Sequence, residues 1–60
     1  MMNYPSFLEN EVLDFLELFP YETRDLEAWV DVETGNAFVQ LEWLNNFGDW
    51  IELTKELERV

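Results

Sequence analysis

The sequence contains no cysteine and no histidine, and only three of its 60 residues are Lys or Arg. Without cysteine the chain has no disulfide, no thiolate metal site and no thiol nucleophile. Without histidine it lacks the side chain that most often acts as a base at neutral pH and most often binds a metal. We therefore expect no catalytic residues, no metal site and no cofactor, and we expect that the chain is not an enzyme.

Long apolar runs and a basic surface are also missing. No run approaches the roughly 18–20 apolar residues that a membrane span needs, and the N-terminus lacks the basic start and apolar core of a signal peptide. The 14 acidic residues against three basic ones give a net charge of −11, which repels nucleic acid and anionic membranes. These features predict a cytoplasmic protein that binds neither of them directly.

Hydrophobic residues are abundant enough for a folded chain despite this charge. They make up 48% of the sequence, and 17% of the residues are aromatic, whereas disordered chains combine high charge with low hydrophobicity. We expect one domain over residues 1–60. A domain of this size buries only about 60% of the surface that its unfolded chain exposes, so self-association or a stabilising partner is expected.

The first element is predicted to be a helix that begins near Ser6 and ends at Pro20. Ser6 followed by Glu9 matches a capping box. Apolar residues then recur at helical spacing; these are Leu8, Val12, Phe15, Leu16 and Phe19. Leu13 and Leu18 flank this stripe, and they either join the core or pack against another chain.

Residues 26–44 are predicted to form a β-hairpin, since two segments alternate apolar and polar residues. Thr34-Gly35-Asn36 between them supplies residues that tolerate positive φ. Pairing Val32 with Ala37 places the apolar side chains of both strands on one face, and loops of two or four residues both keep this parity. The alternative is a helix over residues 37–47 that is capped by Asn36.

The C-terminal segment is predicted to be a second helix. Asp49 followed by Glu52 forms another possible capping box, and apolar residues follow at helical spacing, namely Trp50, Leu53, Leu57 and Val60. A third strand beginning at Trp50 is the alternative. The predicted fold class is a small α+β domain of helix, hairpin and helix, with both helices on the apolar face of the hairpin; an all-α small bundle is the other alternative.

The outer face of the predicted hairpin combines acidic and aromatic side chains. Exposed aromatics surrounded by charge are typical of a binding hot spot with a polar rim. We predict a partner-binding surface that includes two helix carboxylates and comprises Asp14, Glu17, Glu27, Trp29, Asp31, Glu33, Phe38 and Glu42. The residues predicted for self-association are Leu13, Leu18 and Leu44.

Basic residues are nearly absent among the acids, because residues 1–54 contain twelve acidic residues and one Arg. An ordinary soluble surface mixes both signs. Carboxylates on alternate strand residues, roughly 6.6 Å apart, can follow the phosphates of nucleic acid. We therefore predict an inhibitor or regulator that occupies the basic nucleic-acid-binding surface of a target protein. The alternative is a homodimeric structural or adaptor module that docks a partner through apolar and aromatic surface.

In its size, acidity and aromatic content the chain resembles small phage-encoded inhibitors and DNA-mimic proteins as a class. The resemblance lies in these overall properties and in no aligned motif. It implies a viral inhibitor that acts in the host cytoplasm, and it identifies no target.

Overall fold

The computed structural model describes residues 4–57 and shows an α+β fold with one helix and one sheet. The elements in chain order are a 3-10 turn at Ser6–Leu8, α1 at Glu9–Leu18, β1 at Thr23–Val30, β2 at Ala37–Leu44 and β3 at Trp50–Leu57. The strands form a single antiparallel sheet in the order β1-β2-β3.

Helix α1 packs on one face of the sheet, and the predicted helical stripe is confirmed. Leu8 and Val12 are fully buried. They share the core with alternate residues of the strands, namely Ala28, Ala37, Val39, Leu41 and Leu57. The other predicted stripe residues are partly buried against this core and are Phe15, Leu16 and Phe19.

The predicted capping box at Ser6 does not form. The chain enters α1 through the 3-10 turn, in which Leu8 N–H donates to Pro5 O at 3.0 Å. Glu9 N–H donates to the backbone carbonyl of Ser6, so this amide is already satisfied and the Ser6 hydroxyl caps neither the turn nor the helix.

The predicted hairpin forms, but its register differs by two residues from the predicted one. Val30, rather than Val32, lies opposite Ala37, and Ala28 lies opposite Val39. A shift of two residues keeps every side chain on its predicted face, so the predicted core face is correct. Strand pairing over β2 also excludes the alternative helix at residues 37–47.

The loop between β1 and β2 explains this shift. Asp31 N–H donates to Asn36 O at 2.8 Å, and Gly35 N–H donates to Asp31 O at 2.7 Å. These bonds close a loop over residues 32–35 in which Gly35 has φ +76°, a conformation that favours glycine. Val32 is thereby exposed at the loop and does not pair in the sheet.

The predicted C-terminal helix is wrong, and the alternative of a third strand is confirmed. β3 pairs with β2 over eight consecutive residues, from Trp50 opposite Leu44 to Leu57 opposite Ala37. The expected arrangement of two helices on the hairpin is therefore reduced to α1 alone within residues 4–57. Val60, the last residue of the predicted helical stripe, lies outside the described residues.

The turn before β3 shows why no helix begins there. The Oδ1 atom of Asn45 accepts hydrogen bonds from the N–H groups of Phe47 and Asp49, both at 2.9 Å. Gly48 has φ +84°, which matches a three-residue hairpin loop that ends in a left-handed residue. Asp49 therefore closes a hairpin and does not cap a helix.

β1 contains a bulge at Asp25. Arg24 and Glu27 lie opposite Glu42 and Gln40, so the two residues between them face one residue of β2. Asp25 has φ 54° and is the only non-glycine residue with positive φ among residues 4–57. The extra residue reverses the side-chain alternation, and Arg24 therefore lies on the same face as Glu27, away from the core.

Candidate protein-binding face

The sheet face turned away from α1, which we call the open face, carries the side chains that alternate with the core residues. The strand registers assign to it Arg24, Glu27, Trp29, Phe38, Gln40, Glu42, Leu44, Trp50, Glu52, Thr54 and Glu56. None of these side chains is fully buried. The open face is therefore an accessible surface of mixed acidic and aromatic character.

Arg24 is bound by two groups of the open face. Its Nε lies 3.2 Å from Glu42 Oε1, and its guanidinium carbon lies 4.1 Å from the ring centroid of Trp50. Asp25 Oδ2 is more distant, at 4.0 Å from the same Nε. The face thus already holds one guanidinium group between a carboxylate and an aromatic ring.

The acidic side chains of the open face outnumber their cationic partners. Glu42 lies directly opposite Glu52 on β3, and like charges in this position destabilise a sheet. Both ion pairs within residues 4–57 involve Arg24, so the carboxylates of Glu27, Glu52 and Glu56 have no cationic partner in this part of the chain. These three carboxylates are available to a cation from another molecule.

Trp29 and Phe38 form an aromatic pair on the open face. They lie opposite each other on β1 and β2, with ring centroids 6.1 Å apart and an interplanar angle of 26°. Trp29 is 36% exposed. Glu27 precedes Trp29 on the same strand face, and Glu56 lies opposite Phe38, so carboxylates flank the aromatic pair on two sides.

The structure divides the predicted partner-binding residues among three places. Glu27, Trp29, Phe38 and Glu42 lie together on the open face. Asp31 and Glu33 lie beyond the end of β1. Asp31 closes the hairpin loop and Glu33 lies within it, and Asp31 Oδ1 accepts the Glu33 N–H at 2.9 Å. Asp14 and Glu17 are exposed on α1, which covers the opposite sheet face.

The residues predicted for self-association do not share one surface either. Leu13 and Leu18 are 50% and 86% exposed on α1, so they do not belong to the core. Leu44 is partly buried on the open face, opposite Trp50. The two helix leucines are accessible, but they are five residues apart and flank the core stripe of α1 on opposite sides.

Among the charged and aromatic residues of the open face, four were not among the predicted site residues: Arg24, Trp50, Glu52 and Glu56. Arg24 reaches the face through the bulge, which has no distinct signature in the sequence. The other three lie on β3, which was predicted to be a helix, so they were not assigned to a sheet face. The alternation of Trp50, Glu52, Thr54 and Glu56 with intervening, mostly apolar residues is the period-2 signal that indicates this strand.

Neither a metal site, nor a membrane-spanning helix, nor a similar protein adds to the description of the open face. No group of three or more acidic side chains in residues 4–57 is arranged to hold a metal ion. No helix in that range is long and apolar enough to cross a membrane. No family model, no curated protein and no solved structure matches the chain.

Proposed function

We propose that the chain is a non-enzymatic binding protein that docks its open face on a basic surface of a partner protein. One observation carries this proposal, namely that within residues 4–57 the face presents four carboxylates and a single cation, Arg24, which Glu42 already binds. A basic partner would neutralise charges that this chain leaves unpaired. The steered association of opposite charges would make the encounter fast.

The spacing of these carboxylates supports a target that otherwise binds nucleic acid. Neighbouring strands lie about 4.8 Å apart, and alternate residues along a strand lie roughly 6.6 Å apart. Lysine and arginine side chains that hold the closely spaced phosphates of nucleic acid would meet carboxylates at comparable intervals. The chain would then act as an inhibitor or regulator by competing with nucleic acid, in the cytoplasm where such a target works.

Trp29 and Phe38 would supply the apolar part of the interface. Interface energy is concentrated in a few aromatic and Arg anchors at its centre, and surrounding polar groups exclude water. Here the aromatic pair is flanked by Glu27 and Glu56. Loss of the Trp29 ring would mainly accelerate dissociation, because an anchor contributes after docking.

The test is affinity capture on the immobilised chain, at low and high salt, followed by elution with duplex DNA. We expect nucleic-acid-acting proteins to bind at low salt and to be released by DNA, because both ligands compete for one basic site. The double variant Glu27→Lys/Glu56→Lys should lower affinity for a captured target at least about hundredfold, since like charges across an interface cost several kcal/mol.

The matched control is Asp14→Lys/Glu17→Lys on α1, which changes the net charge by the same amount away from the open face. We expect this variant to retain most of the affinity. Equal loss in the two variants would indicate attraction by net charge alone, and binding that high salt or DNA does not reduce would contradict the proposal.

A second candidate function is a homodimeric structural or adaptor module. The observation that favours it is the exposure of Leu13 and Leu18 on α1. A second chain that covered these leucines would add apolar burial, of about 25 cal/mol for each Å², to a small core. Sedimentation equilibrium tests this candidate.

A further inference from the structure

β3 is an edge strand with a regular outer side. The strand order leaves β1 and β3 at the two edges of the sheet. β1 is interrupted by the bulge at Asp25, and bulges hinder the addition of a further strand. β3 pairs with β2 over eight consecutive residues without a break, so its edge is the one suited to another strand.

The turn before β3 determines which of its backbone groups face outward. Asn45 N–H donates to Asp49 O at 2.9 Å, so this closing pair is a hydrogen-bonded pair. Hydrogen-bonded and non-hydrogen-bonded pairs alternate along antiparallel strands. The residues that bond to β2 are therefore Ile51, Leu53, Lys55 and Leu57. The residues whose N–H and C=O groups point outward are Trp50, Glu52, Thr54 and Glu56.

These outward-facing backbone groups have no partner among residues 4–57, because β2 is the only strand there that pairs with β3. Three of the residues that carry them are exposed and form an acidic triplet, with Glu52 and Glu56 on either side of Thr54. On the helix side of β3, Ile51 is 40% exposed and Leu53 is partly buried. Lys55 is the one charged residue on that side and is exposed. An added strand would therefore meet the carboxylates of Glu52 and Glu56 on one face and, apart from Lys55, apolar side chains on the other.

We propose that β3 accepts an extended segment of a partner protein as a fourth strand, and that this segment alternates basic and apolar residues. Its basic side chains would lie beside Glu52 and Glu56 on the open face, and its apolar side chains would lie beside Ile51 and Leu53. Main-chain hydrogen bonds provide affinity in such strand addition, and alternate side chains provide specificity. That the partner is basic rests on the proposed function, whereas binding by strand addition is inferred from the free edge of β3.

Charge argues against a second copy of this chain as the added strand. Each chain carries a net charge of −11, and a second β3 would bring its own Glu52 and Glu56 to the same face. A basic segment would instead place opposite charges side by side, which stabilises cross-strand pairs.

The experiment uses the full chain and a synthetic peptide of eight residues in which Arg and Val alternate. Hydrogen exchange of the backbone amides is measured by NMR with and without peptide. We expect the amides of Glu52, Thr54 and Glu56 to exchange freely in the unbound chain. At a peptide concentration of about ten times its dissociation constant, exchange at these amides should slow by about tenfold.

Two control peptides separate strand addition from attraction by charge. The first has the same composition, with all Arg residues before all Val residues. The second keeps the alternation but is N-methylated at every second residue, which removes backbone donors and leaves the side chains intact. We expect both controls to bind at least about tenfold more weakly than the alternating peptide, a difference of about 1.4 kcal/mol.

The variant Thr54→Pro removes one outward N–H without removing a hydrogen bond to β2, because proline is tolerated at the solvent side of an edge strand. It should weaken peptide binding at least about tenfold, whereas Thr54→Val should bind like the wild type. If Thr54→Pro does not fold, the N-methylated peptide on the wild-type chain still decides the question.

Equal binding of the alternating and N-methylated peptides would overturn the proposal. So would peptide binding that changes the environment of open-face side chains while the three amides remain unprotected, although that result would leave the proposed function intact. Protection of these amides that rises with protein concentration in the absence of peptide would show a second copy at the edge and would also overturn it.

Discussion

Replacing Arg24 with alanine removes the only basic side chain that residues 4–57 place on the open face, and we expect this change to lower the free energy of unfolding by about 1–3 kcal/mol. An exposed ion pair such as that with Glu42 contributes about 0.2–1 kcal/mol. A cation over an exposed aromatic ring, here Trp50 at 4.1 Å, contributes about 0.5–1 kcal/mol. The Glu42–Glu52 repulsion that Arg24 offsets adds about 0.2–1 kcal/mol.

This loss is large for a chain of 60 residues, whose total stability is about 3–9 kcal/mol. Thermal unfolding followed by circular dichroism would show it as a decrease in Tm of about 4–8 °C for each kcal/mol. Arg24→Lys should have an intermediate effect, because lysine keeps the charge and loses the planar contact with Trp50. Glu42→Gln should be nearly neutral, since it removes the ion pair and also the repulsion with Glu52.

A double-mutant cycle of Arg24→Ala and Trp50→Leu isolates the contact between the guanidinium group and the ring. We expect a coupling energy of about 0.5 kcal/mol or more. A coupling energy near zero, together with a loss below about 0.3 kcal/mol for Arg24→Ala alone, would refute the view that Arg24 holds the open face together.

Three further predictions concern charge and assembly. Because repulsion among acidic side chains opposes the compact state, Tm should rise between low and high NaCl, and an equal or lower Tm at high NaCl would contradict this. Glu52→Lys should raise the midpoint of urea unfolding by the equivalent of about 0.5–1.5 kcal/mol, because residue 52 faces Glu42. Glu56→Lys alters the net charge equally but faces Phe38, so it should raise this midpoint less. Equal effects of the two variants would point to net charge alone. Sedimentation equilibrium should show a homodimer at micromolar concentration that Leu13→Lys/Leu18→Lys dissociates, and a monomeric wild type would remove this candidate.

The elements that could be predicted from the sequence are those with one consistent periodicity. The stripe from Leu8 to Phe19 fits only a helix, and Pro20 ends it. The alternation in β1 and β2 identifies the core face, because a side chain's face depends only on parity. The register could not be predicted, since loops of two and of four residues keep the same parity, and the position of Val32 depends on the hydrogen bonds that close the loop.

β3 was predicted only as the alternative to a helix, because its apolar residues lie on both faces of the sheet. Leu53 and Leu57 face the helix, whereas Trp50 lies on the open face beneath Arg24. Together these three residues reproduce helical spacing, although the strand is otherwise regular. The sheet face of Arg24 could not be predicted, because Asp25 adopts a left-handed conformation that reverses the side-chain alternation. An aspartate in a sequence does not by itself indicate that conformation.

The difference between the two sheet edges determines how far strand addition can proceed. If both edges were regular, β1 of one molecule could pair with β3 of the next, and this head-to-tail contact would not close. Such growth produces fibres in which each chain templates its neighbour. The bulge at Asp25 hinders pairing at the β1 edge, so a segment that binds to β3 would add one strand and no further strand would follow at the β1 edge. Deletion of this one residue would leave Arg24 opposite Glu42 but would straighten β1, and both edges of the sheet would then be regular.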